Sequence, residues 1–362
     1  MRKYLTAGVF VFLLSILFIF NVATPSPLML KSERREPAAW PELSMKTVVN
    51  GEFMQGFEPW AADNFVGREF LRETRANVVF KVFRQSDKSG LFLGESGAGK
   101  FERINEQSAR RAAEKLGSVA KNLTDVNLYY SIVPDKSLYA GQYLPGFDID
   151  LARQILSEEF DGFEYIDLTG ALTAQDYYHT DIHWAQPALS GTLKTLGKAM
   201  DFIVDEDFTR HSAGNFHGVY TGQIALPLVP DEMVYMTNPT LTSAVVKYLN
   251  SSTVEMKIGP MYKVDAITGQ DPYALFLCGT QPVVTIENPS CDTERELYIF
   301  RDSFTSSLAP LLTPAYSKIT LIDLRYIDSR MLSQVVEFTP DADVLFLYGM
   351  QILNNPSILL IN

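Results

Sequence analysis

Cysteine is nearly absent: Cys278 and Cys291 are the only two in 362 residues. That excludes a scaffold built on disulfides and a zinc site built from several cysteines. Basic residues are in deficit, 31 Lys and Arg against 43 Asp and Glu, for a formal charge of −12. Nucleic-acid affinity comes mainly from basic groups that displace counterions, so this body is a poor partner for nucleic acid. The same deficit argues against broad adhesion to an anionic lipid surface. No internal repeat and no low-complexity tract occurs. Hydrophobic residues make up 46% and charged residues 20%, which excludes disorder, collagen and coiled coil for the chain as a whole. The length allows two average domains or one large α/β domain with additions.

A long uncharged run is present, at the start. Met1-Arg2-Lys3 is basic, and the twenty residues from Tyr4 to Ala23 carry no charge. As a helix at about 1.5 Å per residue they span roughly 30 Å, one hydrocarbon core. A cleavable signal peptide is the rival reading. Its apolar region is shorter, about 7–15 residues, and it ends in small residues, whereas Asn21 stands just before a cut after Ala23. An uncleaved anchor is the favoured reading. Arg2 and Lys3 then hold the N-terminus inside, and everything after Thr24 lies outside the cytoplasm. Pro25 and Pro27 end the helix, and residues 24–40 read as a tether.

Residues 41–90 form a helical, amphipathic N-terminal region, with Phe65, Phe70, Val78, Val79, Val82 and Phe83 set among Arg68, Arg72, Arg75 and Lys81. Residues 91–101 read as a glycine-rich hairpin, and 102–122 as an alanine-rich helix. Beyond that, strand candidates at 127–133, 163–168, 273–278, 296–300, 318–322 and 343–348 alternate with helix candidates at 148–160, 185–200, 303–312 and 327–337. Such alternation predicts an α/β fold, a parallel sheet flanked by helices. Residues 201–270 read as an insertion of strands and loops within a body spanning 41–362.

One motif is a decoy. Gly94 to Lys100 matches G-x-x-x-x-G-K, but Phe101 follows where a phosphate-binding loop needs Ser or Thr. A glycine turn is the reading kept.

Two other signals complement each other. In Tyr177-Tyr178-His179-Thr180-Asp181-Ile182-His183-Trp184, Asp181 stands two residues before His183, a spacing that lets a carboxylate orient an imidazole. By itself it equally describes a capping Asp beside a half-buried His. In Arg301-Asp302-Ser303-Phe304, a serine sits where the strand-like ELYIF meets a helix. Free N–H groups at a helix start hold an oxyanion, although a plain N-cap serine has the same sequence. Together the two elements supply nucleophile, base and orienting acid.

With these motifs the chain resembles the DHHW proteins. Those are similar in turn to the alginate O-acetyltransferase group, whose catalytic domain is SGNH-hydrolase-like. Asn64-Phe65-Val66-Gly67-Arg68 and Val133-Pro134-Asp135-Lys136 add to the resemblance, which covers most of residues 50–350. It implies an SGNH-like domain in which Ser303 is the nucleophile, His183 the base and Asp181 its orienter, with the serine element unusually late. It also implies acetyl-ester transfer to an envelope or extracellular polysaccharide, with a membrane-bound acyltransferase as acetyl donor. Esterase activity, with water as acceptor, and a non-catalytic binding module are the alternatives. Ile182 replaces the first His of the family's name motif, and His179 stands where Arg is common.

Tyr178, His217 and Arg325 are the substrate-binding candidates. His217 reads as cleft wall or as loop or core histidine, and Arg325 as a cleft cation or as the ion-pair partner of Asp323 or Asp328. His211 flanks the same Gly214-Asn215-Phe216 segment as His217. Asn354 and Asn355 read as turn residues before Pro356, with oxyanion donation as the other reading. No cofactor is implied, and no metal. His179 and His183 have the spacing of two zinc ligands on a helix, but Thr180-Asp181 reads as a helix entrance and no third ligand accompanies them. Cys278 and Cys291 are either a disulfide, permitted outside the cytoplasm, or two free thiols.

Overall fold

The computed structural model describes residues 2–30, 32–94, 97–140, 147–204, 207–250 and 252–361. They fall into two compact units: Met1–Ser89 with Val219–Leu228, and Gly90–Gly218 with Val229–Asn362.

The first unit opens with the helix Arg2–Ala23. Its stretch Tyr4–Ala23 has a mean hydropathy of 2.5, and among the described residues none of it is buried. Asn21, in its last turn, donates through Nδ2 to the Leu17 carbonyl at 2.7 Å and accepts the Val66 N–H on Oδ1 at 2.6 Å. Residues 24–40 are held by charge pairs. Arg35 forks both oxygens of Asp63 at 2.6 Å, and this pairing holds the Asp63 carboxyl below the usual carboxylate range. Arg68 and Arg72 both reach Glu33. The helices Glu52–Asn64 and Arg68–Asn77 are separated by Phe65-Val66-Gly67. Gly67 has φ +79, which glycine adopts without strain. In the short helix Val219–Ile224, a Cβ on Gly222 would fall 1.3 Å from the Ser32 carbonyl oxygen, so only glycine fits.

The second unit is built on an eight-stranded sheet: β1 (Asn127–Val133), β2 (Glu164–Tyr165), β3 (Val245–Asn250), β4 (Glu255–Gly259), β5 (Val283–Glu287), β6 (Glu296–Arg301), β7 (Lys318–Ile322) and β8 (Asp343–Gly349). The spatial order is β2-β1-β8-β6-β7-β5-β3-β4. The first five are parallel; β5, β3 and β4 continue the sheet antiparallel. The sheet is thus α/β and mostly parallel, as the alternation predicts. The expected insertion does more than sit apart: its residues 245–259 extend this sheet, and Thr209–Phe216 pairs with Asp231–Thr237 in a ribbon of its own.

Alternating side chains divide the core. On β6, Tyr298 and Phe300 face one layer, with Ala112, Leu116 and Ile155 from the helices Glu106–Ala120 and Ile149–Ser157. Leu297 and Ile299 face the other, with Leu193 and Leu196 of Ser190–Met200 and Leu308 and Leu311 of Thr305–Leu312. Each such side chain, fully buried, contributes about 1.5–3 kcal/mol. Helix starts are fixed by side chains: Asn105 accepts the Ser108 N–H at 2.9 Å and Asp148 the Leu151 N–H at 2.9 Å.

One strand expectation fails. Residues 273–278 are a 3-10 turn, Pro272–Leu275, followed by Leu277 and Cys278 at positive φ. The run is apolar because it is buried, not because it is extended. Similarly, the helix expected at 327–337 shrinks to a 3-10 turn, Ser329–Met331, and one α-helical turn, Leu332–Val335.

Candidate functional site

The parallel strands end at one edge, where open α/β sheets place their sites. The segment 177–184 lies there without regular structure. An antiparallel bridge between Tyr177 and Trp184 closes it, and the Tyr178 N–H donates to the His183 carbonyl at 3.0 Å. Asp231, from the neighbouring ribbon, accepts the N–H of His179 at 2.6 Å and of Thr180 at 2.7 Å. The Thr180 Oγ1 accepts the Gly218 N–H at 2.7 Å. The helix entrance expected here is displaced: the helix begins only at Ser190.

This loop aims Asp181 and His183 at Ser303. Asp181 is buried. Its Oδ1 accepts the His183 backbone N–H at 3.2 Å and stands 2.7 Å from His183 Nδ1. His183 Nε2 stands 2.8 Å from Ser303 Oγ, across 120 residues of sequence. Ser303 follows β6 by two residues and precedes the helix Thr305–Leu312 by two. The structure therefore brings the three residues read from the two motifs into one hydrogen-bonded line.

Packing fixes the imidazole. The ring of Tyr273 lies flat on it, centroids 3.7 Å apart at 8°, and Phe304 meets it at 5.1 Å. The fully buried Trp184 donates to the Phe304 carbonyl and to Ser307 Oγ, both at 3.0 Å.

Beneath Ser303 runs a buried charged floor. Asp302 accepts the Gly349 N–H at 2.6 Å and the Phe304 N–H at 3.1 Å. Burial pushes its carboxyl up, against the pull of Arg325 and these N–H groups. Arg301, buried, donates to Ser306 Oγ at 3.0 Å, and burial pulls its guanidinium down.

A second support comes from Lys136, whose buried Nζ donates to the carbonyls of Ala98 at 2.7 Å and Tyr178 at 2.5 Å. It ties the motif loop to the hairpin Leu91–Gly94/Gly97–Lys100. The Ala98 N–H donates in turn to the His179 carbonyl at 2.7 Å. The G-x-x-x-x-G-K decoy is this hairpin, with Glu95 and Ser96 outside the described residues. Its Lys100 pairs with Glu102 at 2.6 Å.

The other sequence candidates disperse. Tyr178 is corrected from substrate binder to core: it is buried, its hydroxyl donates to Met233 Sδ at 3.1 Å, and its ring packs on Phe216. Arg325 realises the ion-pair reading, forking Asp323 at 2.8 and 2.6 Å. His217 is exposed beside Gly218, next to the Asp181 loop. His211 hydrogen-bonds Thr237 Oγ1 at 2.7 Å. Asn354 donates to the Arg103 carbonyl at 2.9 Å and accepts from Asn105, and Asn355 accepts from Ser357, so both are turn residues. Cys278 and Cys291 are free thiols. Among the described residues, no group of three or more His, Cys, Asp or Glu is arranged as metal ligands. Tyr273, Ser307, Asp231 and Gly218 were not singled out from the sequence. Only Lys136 carried a signal, through Val133-Pro134-Asp135-Lys136.

The mostly parallel sheet, with a serine on a strand-to-helix turn facing an Asp-x-His loop, agrees with the SGNH-hydrolase-like α/β fold that the resemblance implies. In its fold the chain is similar to a DHHW family protein from Eubacterium siraeum DSM 15702, at 18% identity and a TM-score of 0.59, over 75% of this chain and 94% of that one. It is similar as well to Bacillus cereus PatB1, solved with a sulfonyl adduct, at 18% identity and a TM-score of 0.56, over 75% and 98%. A second structure of Bacillus cereus PatB1 gives 18% identity and a TM-score of 0.55, over 74% and 98%. The resemblance to DHHW proteins read from the motifs holds in three dimensions, at the level of fold. No family model matches the chain, and no curated protein matches its sequence.

Proposed function

We propose that the protein is a serine acyl-ester enzyme that transfers acetyl groups to a cell-envelope or extracellular polysaccharide. The observation that supports this reading is the continuous line Asp181 Oδ1–His183 Nδ1 at 2.7 Å and His183 Nε2–Ser303 Oγ at 2.8 Å. His183 takes the proton of Ser303 as its Oγ bonds to the acyl carbon. Asp181 stabilises the imidazolium that forms, and the proton then passes to the departing alkoxide. Asp302 already accepts the Phe304 N–H, so the tetrahedral oxyanion calls for other donors at this turn. A sugar hydroxyl, or water in an esterase, releases the acetyl group by the reverse path. His217 on the adjoining surface is the candidate for contact with the acceptor.

The apolar helix Tyr4–Ala23 is read as an anchor with the body outside the cytoplasm, beside a membrane-bound acyltransferase that supplies the acetyl group. The test is labelling of the full chain by a fluorophosphonate, with peptide mapping, alongside turnover of p-nitrophenyl acetate. Adduct on Ser303 and turnover support the reading. An unlabelled Ser303 with no turnover leaves the non-catalytic module. Acetyl release to water that added glycan does not divert marks an esterase.

A further inference from the structure

We infer that Ser307 and Tyr273 are positioning residues that set the His183 ring in register with Ser303, an inference that rests on the acyl-enzyme reading. Ser307 lies four residues beyond Ser303, in the helix that follows it, and is fully buried. Its Oγ accepts the Tyr273 hydroxyl at 2.8 Å and the Trp184 indole N–H at 3.0 Å, and donates to the Phe304 carbonyl at 3.4 Å. A serine hydroxyl has one donor and two acceptor sites, so all of its capacity is used. The Ser307 carbonyl in turn accepts Gln186 Nε2 at 2.7 Å.

The three donors, Tyr273, Trp184 and Gln186, all lie with the base. Tyr273 is the flat shelf under His183, and Trp184 and Gln186 are its near neighbours in sequence. Base and nucleophile come from segments 120 residues apart, yet the plane of the imidazole is referred back to a hydroxyl on the helix that follows the nucleophile. Small errors in such alignment reduce rates on the order of 10²-fold. Burial holds the Tyr273 phenol well above its ordinary value, so it remains a donor across the working pH range.

The experiment uses the full chain in detergent. It compares Ser307→Ala, Tyr273→Phe, Tyr273→Leu and the double variant Ser307→Ala/Tyr273→Phe with the parent. Readouts are kcat and KM for p-nitrophenyl acetate, the rate of sulfonylation by phenylmethanesulfonyl fluoride, the melting temperature, and the low-field proton signal of His183 Nδ1. Ser307→Ala and Tyr273→Leu are expected to lose about 10- to 100-fold in kcat and sulfonylation rate, with KM within about two-fold. Tyr273→Phe keeps the shelf and loses less. Its effect and that of Ser307→Ala are non-additive, because both remove the same bond. If Ser307→Ala does not fold, Ser307→Thr and Tyr273→Leu carry the test. Sulfonylation at the parent rate in variants whose only change is a lower melting temperature overturns the inference. If the parent itself is not sulfonylated, the enzyme reading fails instead. Positioning is then judged by the His183 proton signal alone, which an unchanged position in Ser307→Ala would refute.

Discussion

Ser303 is one hydroxyl among many, and its neighbours distinguish it. Replacing it with alanine removes the proposed nucleophile and leaves the His183–Asp181 pair and the buried floor intact. Turnover of p-nitrophenyl acetate is expected to fall on the order of 10³-fold or more, at a nearly unchanged melting temperature; residual turnover near the parent value would place the chemistry elsewhere. Lys136 gives a second prediction at this scale. Its burial draws the ammonium down to about 8, against the opposing pull of Asp231, Asp181 and Asp135. Between about pH 8 and its ordinary 10.5 the unfolded chain therefore binds the proton that the folded chain has released, so this residue makes stability rise with pH across that window. Relative to Lys136→Met, the melting temperature of the parent should climb from pH ~7.5 to ~9.5. Identical pH trends in the two proteins would remove the assignment. Asp181, His183 and Ser303 were legible in the sequence because two motifs name them. Tyr273 and Ser307 were not, since a tyrosine in an apolar run and a serine in a helix carry no local mark of what they touch.

At the scale of elements, the glycine-rich hairpin shows why a nucleotide-loop pattern recurs in a protein that uses it differently. A Cβ on Gly97 would meet the His179 carbonyl oxygen at 2.3 Å, and its φ of +96 already disfavours any side chain. A Cβ on Gly218 would fall 2.2 Å from the Thr180 carbonyl oxygen. Both glycines let backbone press against the loop that carries Asp181 and His183. Gly97→Ala should therefore destabilise by about 1–3 kcal/mol and lower turnover, with both losses measurable on the purified variant; an unaltered melting curve would show that the hairpin yields. The strands 127–133 and 318–322 were readable to the residue because each is an apolar run bounded by turns. The run at 273–278 misled for the same reason. Asp271 accepts the Tyr273 N–H and starts a 3-10 turn that delivers the tyrosine to the imidazole. That preference is set by a tertiary contact invisible to local pattern. β5, Val283–Glu287, went unread although its composition is strand-like, because no helix accompanies an antiparallel neighbour.

For the whole molecule, the dominant fact is a 20-residue apolar helix left exposed among the described residues, on a chain of net charge −12. The full chain should partition with membranes and resist carbonate extraction. Protease added to intact, wall-stripped cells should cut beyond residue 40. Protection there would reverse the orientation, and recovery of a soluble form starting near Thr24 would identify a removed leader. The bond from Asn21 to Val66 bears on that last outcome. A peptidase acting after Ala23 would carry away a carboxamide that the folded unit uses, leaving the Val66 amide to find water. A cut there would thus remove the acceptor of the Val66 N–H whether it came before or after folding. The cut would be read in the protection of one backbone amide, that of Val66.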